Sequence, residues 1–154
     1  MDPDIQIQVY ASLGKLAAAL ALCITAMGST MGTGVAGMAA AGAWKSCYAR
    51  NRIAPFMLVA FVGLPLTQTI YGMIVMNATI RSIEANPSSI VLPIGGLVAG
   101  VAMGVTSWLK GRAGAAAAMA LAETGKGFIN YLMVLGVVET VSLFVMVFVT
   151  KAVA

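Results

Sequence analysis

Residues 127–150, GFINYLMVLGVVETVSLFVMVFVT, decide the fold of this chain. Within these 24 residues the only charged side chain is Glu139. A helix needs roughly 20 mainly apolar residues to cross the hydrocarbon core of a bilayer. Three further uncharged stretches of at least this length precede it, at residues 16–44, 53–80 and 85–109. Because lipid offers the backbone no water to bond, spans of this length must be helices, and we predict four of them.

The composition also indicates that most of the chain lies in lipid. Of the 154 residues, 60% are hydrophobic and 9% are charged, whereas a soluble domain of this size needs a largely polar surface. The low charge excludes a disordered chain, and nine scattered Lys and Arg residues exclude a nucleic-acid-binding protein. The absence of His excludes His-ligated zinc and His-dependent catalytic triads. We therefore expect lipid around the chain and no nucleic acid partner.

The four stretches pair into two fused helical hairpins of an all-α membrane protein. We predict a first hairpin over residues 1–84, with helices at about 13–44 and 53–80. The second hairpin covers residues 85–154, with helices at about 88–122 and 127–151. An even number of spans places both termini on the same side of the membrane.

Basic residues in the connecting segments predict the orientation. The segment between the first two helices carries Lys45, Arg50 and Arg52 and no acid, whereas the middle segment balances Arg81 against Glu84. Cytoplasmic loops carry an excess of Lys and Arg. We expect a multi-pass protein of the cell membrane, with the two hairpin loops in the cytoplasm and both termini outside.

The second and fourth helices resemble each other at an offset of 73 residues. In this alignment Leu66 falls on Glu139, Thr67 on Thr140, Thr69 on Ser142 and Tyr71 on Phe144. Self-similarity at a fixed period is the sequence signature of a repeated structural unit. We therefore predict that the two hairpins have the same architecture.

Glycine is concentrated in the first and third helices. Gly96, Gly100 and Gly104 are four residues apart and so share one helix face, and Gly28 and Gly32 repeat the spacing in the first helix. Small residues at this spacing allow helix backbones to approach closely in lipid. A hairpin with one slim and one bulky helix can form a ring with the slim helices inside. Ordinary close packing in a four-helix bundle is the alternative.

Glu139 lies near the middle of its uncharged stretch. An acidic side chain at the bilayer centre costs about 3 kcal/mol on insertion scales and marks a functional site by default. Hydrocarbon favours the neutral form of the carboxyl group, so Glu139 would hold a proton or a cation when it faces lipid. The structural alternative is a protonated Glu that bonds two helices together.

Four residues of the second helix form one face, because they follow an i, i+3, i+4, i+7 pattern. They are Leu64, Thr67, Gln68 and Tyr71. Pro65 lacks a backbone N–H and can free a carbonyl near Leu64. A carbonyl, a hydroxyl, an amide oxygen and a carboxylate are hard ligands suited to a small alkali cation. Hydrogen bonding between helices would use the same residues.

The chain resembles the proteolipid subunit K that forms the membrane rotor ring of V-type ATPases and ATP synthases. The resemblance covers nearly the whole chain. It includes the two fused hairpins, the glycine-rich odd helices, residues 64–72 (LPLTQTIYG) and residues 138–140 (VET).

The resemblance implies a role for each matching residue. Glu139 would be the carboxylate that carries the ion. Leu64 (through its carbonyl), Thr67 and Gln68 match ligands of the sodium-binding members, and Tyr71 matches a residue that steadies the carboxylate.

The same resemblance implies partners and cargo. Leu66 would mark the half that has lost its carboxylate. The chain would form a homo-oligomeric ring, turn against a stator subunit that carries an Arg, and contact the central stalk of the ATPase. It would be no enzyme by itself and need no cofactor, but would translocate Na⁺ or H⁺ coupled to ATP hydrolysis or synthesis.

One residue departs from the resemblance. Sodium-binding members carry Gln at the position of Lys110, which should lie at the depth of Glu139. Lys110 could pair with Glu139 and take the place of a sodium ion, which would favour proton exchange or a locked site. Alternatively it turns to a wet cavity or extends along its stem towards water.

Two other classes of protein remain as alternatives. A small multidrug or cation antiporter also has four helices and one buried Glu, but in that family the Glu lies in the first helix and Glu139 is in the last. A tetraspan scaffold that transports nothing would have no use for Glu139.

Overall fold

The chain folds into four long helical spans, as the sequence predicts. The computed structural model describes residues 3–87, 89 and 91–153, and the regular secondary structure in this part is helical throughout. The helices are α1 (Pro3–Ala49), α2 (Leu58–Gly63), α3 (Thr67–Ala85), α4 (Val91–Thr124) and α5 (Phe128–Val153), and a 3₁₀ turn (Leu64–Leu66) joins α2 to α3. Together α2, the turn and α3 make one span, and all four spans are long and apolar enough to cross a membrane.

The first span differs most from its predicted boundaries. Helix α1 begins at Pro3 and ends at Ala49, whereas the position of the charges predicts 13–44. At about 1.5 Å per residue, 47 residues exceed the hydrocarbon thickness more than twofold. Charges indicate where lipid ends, but a helix can continue into water, and this prediction of the boundaries was therefore wrong.

The second span is also displaced relative to the prediction. It runs over Leu58–Ala85 rather than 53–80, because Pro55 keeps the segment after α1 out of the helix. The last two helices end within two residues of the predicted ends, which is within the usual uncertainty of helix ends. The predicted start of the third helix, residue 88, lies outside the described residues.

The two slim helices, α1 and α4, share the largest interface in the chain. A side chain at Gly28 would collide with the backbone of Gly104, and a side chain at Gly111 with the backbone of Gly32. At Gly100 an added Cβ would lie 2.6 Å from the carbonyl oxygen of Ala21. Glycine therefore sets the distance between these two helices, as the spacing predicts.

Gly96 departs from this interface. An added Cβ there would lie 2.7 Å from Oγ1 of Thr79 in α3, not against α1. Residues four apart in a helix are rotated by about 40° from each other, so eight residues turn the face by about 80°. The glycine face predicted from spacing alone is therefore shared between two neighbouring helices.

The two hairpin loops meet at one end of the bundle. Nη2 of Arg52 donates a hydrogen bond to the carbonyl of Glu123 at 3.0 Å, which joins the first loop to the second. The second loop turns through Gly125 and Gly127, with φ of 67° and 87°, a left-handed conformation that favours glycine. This bond joins the two loops, and farther along the bundle α3 and α5 lie in contact.

Most of the surface of helix α5 is exposed in a single chain. Its large exposed side chains include Met133, Val137, Val141, Phe144 and Phe148. An apolar face of this size needs lipid or another protein chain against it. The opposite side of α5, which carries Leu135, Glu139 and Ser142, packs against α3 and α4.

Candidate ion-binding site

The site begins at the proline in the second span. Pro65 has no N–H to continue the helical ladder, and the chain forms the 3₁₀ turn Leu64–Leu66 at this point. Oγ1 of Thr67 donates a hydrogen bond to the carbonyl of Leu64 at 2.9 Å. The turn therefore places a hydroxyl and an amide near Lys110 of α4 and a phenol near Glu139 of α5.

The fourth span contains the same local bond. Oγ1 of Thr140 donates to the carbonyl of Val137 at 2.7 Å, and both residues stand 73 positions after Thr67 and Leu64. The sequence repeat therefore includes a repeated local hydrogen bond. Directly before the threonine of each pair, the first hairpin has Leu66 and the second hairpin has Glu139.

Glu139 occupies the contact between α5 and α3. Its Oε1 accepts a hydrogen bond from the hydroxyl of Tyr71 at 2.8 Å, and its Oε2 lies 3.1 Å from Nζ of Lys110. The side chain of Glu139 is 15% exposed, while that of Lys110 is completely buried. The carboxylate therefore closes the site on the outer side and the ammonium group lies behind it.

Lys110 pairs with Glu139 and does not reach water. Of the two placements considered from the sequence, the structure has the ion pair and not the water-facing lysine. Its Nζ also donates to Oγ1 of Thr67 at 3.0 Å. When the Gln68 amide is oriented so that both of its groups find partners, its oxygen accepts from Nζ of Lys110 at 3.2 Å. The ammonium group has three donors, and three oxygens surround it.

The second hairpin matches a known family. Residues 94–150, which include Lys110 and Glu139, match the family model for the C subunit of ATP synthase. The match covers 57 of the 154 residues, and a search of curated proteins finds no match. The second hairpin is therefore similar to the C subunit of ATP synthase, and the match gives no support to the antiporter.

Gln68 is positioned by a residue that sequence reasoning missed. Oγ of Ser107, one turn before Lys110 on α4, donates to the carbonyl of Pro65 at 2.8 Å. The amide nitrogen of Gln68 donates to the same carbonyl at 2.9 Å. Ser107 therefore fixes the kinked turn against α4. The sequence feature that could have identified Ser107 is its position three residues before Lys110, on the same side of the helix.

The predicted site residues come together with two exceptions. Thr67, Gln68, Tyr71 and Glu139 all contact one another or Lys110. The carbonyl of Leu64 contacts Thr67 and not the ammonium group. Leu66, at the position equivalent to Glu139 in the first half, is 51% exposed and takes no part in this cluster.

Proposed function

We propose that this chain is a rotor-ring proteolipid of an ATP synthase or V-type ATPase, and that Glu139 is its ion-carrying carboxylate, which moves Na⁺ or H⁺ across the membrane. The observation that supports this most directly is the placement of Glu139. Its carboxylate lies near the middle of a spanning helix, is held by two donors and retains 15% exposure at an apolar surface. A charge in this position is costly and is retained where it has a transport role.

The site can alternate between a neutral and a charged form. A carboxylate with a bound cation has no net charge and can pass lipid, whereas an empty carboxylate cannot. Exposure of the carboxylate edge allows an outside group to reach it. The cluster of Thr67, Gln68 and Tyr71 would hold the same geometry in both forms, since each of these side chains has a partner within the chain.

The partners follow from the proposed role. Copies of the chain would form a ring, with the exposed face of α5 towards lipid or towards a neighbouring copy. An Arg on a stator subunit would open each site, and the hairpin loops would face the cytoplasm and meet the central stalk, with both termini outside. ATP hydrolysis or synthesis in the soluble part of the complex would be coupled to the ion flow.

The substitution Glu139→Gln tests this function. The amide keeps the shape of the side chain, and its oxygen can accept from Tyr71 or from the ammonium of Lys110, which leucine cannot do. The ring should therefore still assemble, which a native gel checks. Coupled transport should be abolished, because an amide cannot lose a proton or neutralise a cation. The measurement is ATP-driven ion uptake by proteoliposomes that contain the whole complex.

Glu84 provides the matched control. It is an acid of the same type, is paired with Lys15 and is 58% exposed, so Glu84→Gln should leave ion uptake near the wild-type rate. Ion uptake that persists in the Glu139→Gln complex would show that another group carries the ion.

A further inference from the structure

We infer that the side chain of Lys110 fills the cation position beside Glu139, as an ammonium group when the site is loaded, so that the ring exchanges protons and binds no sodium. This inference rests on the proposed function, because it names the ion that the same site carries. It depends on the contacts of one nitrogen atom with three oxygens.

The three oxygens around Nζ of Lys110 are those expected around an alkali cation. They are Oε2 of Glu139 at 3.1 Å, Oγ1 of Thr67 at 3.0 Å and the amide oxygen of Gln68 at 3.2 Å. All three distances are those of ordinary N–H···O hydrogen bonds. The carboxylate, hydroxyl and amide that would bind sodium therefore bind a cation that belongs to the chain.

A sodium ion cannot bind beside Lys110, because the space is filled and the negative charge of Glu139 is already paired. The side chain of Lys110 is completely buried, and its Nζ occupies the space between the three oxygens. A sodium ion next to Nζ would meet a like charge in a medium of low dielectric constant, where such repulsion is strong. The remaining carboxylate oxygen, Oε1, already accepts from Tyr71.

The charge of the pair identifies the cargo. Lys110 as ammonium and Glu139 as carboxylate are neutral together, so the loaded site can face lipid. Loss of one proton leaves a neutral amine and a carboxylate, with a net charge of minus one. That charge can face a cationic group on a neighbouring subunit, and uptake of one proton restores the neutral pair.

The proton leaves through Glu139, because Lys110 lies behind it. An N–H bond of the ammonium breaks as an O–H bond forms on Oε2, which gives an amine and a carboxylic acid. The O–H bond then breaks at the exposed edge of the carboxyl group and the proton passes to water. One proton is released for each site, and no oxidant, metal or second ion takes part.

Lys110→Gln tests the inference, because it removes the charge and leaves a carbonyl oxygen where the ammonium stood. Rings purified from the wild type should show no saturable binding of ²²Na⁺, whereas Lys110→Gln rings should show saturable binding that unlabelled Na⁺ displaces, because the repulsion by the ammonium group is removed. Whole complexes in proteoliposomes should acidify the lumen on ATP addition, unaffected by external Na⁺ or by a sodium ionophore. Lys15→Gln is the control, since Lys15 is 52% exposed, and it should behave as the wild type.

The outcomes separate the inference from the proposed function. ATP-driven ²²Na⁺ uptake by the wild type, or saturable sodium binding to its rings, overturns the inference even if Lys110→Gln fails to assemble. Wild-type complexes that move neither ion overturn the proton-exchange step. Sodium uptake that is abolished by Glu139→Gln leaves the proposed function intact, whereas uptake of either ion that survives Glu139→Gln removes the function itself.

Discussion

The described part of the chain has two Lys–Glu ion pairs of almost the same length in opposite surroundings. Lys15 and Glu84 lie 3.2 Å apart with side chains 52% and 58% exposed, and Lys110 and Glu139 lie 3.1 Å apart with side chains 0% and 15% exposed. An exposed pair contributes about 0–1 kcal/mol, because water and salt screen it. In a buried pair each charge depends on its partner. The same two residue types therefore contribute little as an exposed pair, whereas in the buried pair each charge needs the other.

The difference extends to the neighbours of each pair. Lys15 and Glu84 join α1 to α3 near the membrane boundary, where water can solvate either charge. The buried pair has further protein donors and acceptors, namely Tyr71 on the carboxylate and Thr67 and Gln68 on the ammonium. A complete set of partners allows a charge to remain at mid-membrane depth.

The largest effect should follow from removal of one buried charge. Glu139→Leu leaves the ammonium of Lys110 without its counterion, and we expect the free energy of unfolding to fall by about 3–5 kcal/mol. Unfolding of the chain in mixed micelles, titrated with sodium dodecyl sulfate and followed by tryptophan fluorescence, measures this loss.

The double variant Lys110→Met/Glu139→Leu completes the comparison. Replacing both charges with apolar groups of similar volume is often neutral in energy, so most of the lost stability should return. If the double variant is as unstable as Glu139→Leu, the two charges do not depend on each other and the contrast with the exposed pair is lost.

A smaller effect should follow from removal of one donor to the buried pair. Tyr71→Phe deletes the hydroxyl that donates to Glu139 at 2.8 Å, and hydrogen bonds to charged groups contribute about 1.5–3 kcal/mol. We expect a loss near the lower limit, because Lys110 still neutralises the carboxylate. The same unfolding titration measures it.

Tyr131→Phe is the matched control for this prediction. The ring of Tyr131 packs 6.5 Å from that of Phe61, and no hydrogen bond of its hydroxyl is found in the part of the chain that the structure describes. Its loss should change the unfolding free energy by less than about 0.5 kcal/mol. Equal losses in the two variants would argue that Tyr71 acts through packing alone.

Much of the site could be predicted from the sequence, because its main parts leave strong local signals. Glu139 interrupts 24 residues of otherwise uncharged sequence, Pro65 interrupts a helix, and the face of Thr67, Gln68 and Tyr71 follows helical spacing. These signals are one-dimensional, and they predicted the spans and the cluster on the second span. The ends of α1 carried no such signal, since charge marks the lipid boundary only.

The contacts between helices could not be obtained in this way. The direction of the Lys110 side chain depends on the rotation of α4 about its axis, and the glycine contacts with α1 set that rotation. Ser107 was missed because a serine in a spanning helix usually bonds its own backbone, whereas here it donates to Pro65. The sequence left the choice between an ion pair and a water-facing lysine open for the same reason.

The smallest effect should come from the exposed pair. Lys15→Met removes an ammonium that lies 3.2 Å from Glu84 and is half exposed, and water can solvate the remaining carboxylate. We expect the free energy of unfolding to fall by less than about 0.5 kcal/mol at 0.15 M salt. The difference should vanish at 1 M salt, where the Debye length is about 3 Å.

Lys110→Met is the buried counterpart of this variant. It should lose the same stability at both salt concentrations, because ions do not enter a buried pair. A salt-independent loss at Lys15 as large as the one at Lys110 would show that exposure does not separate the two pairs.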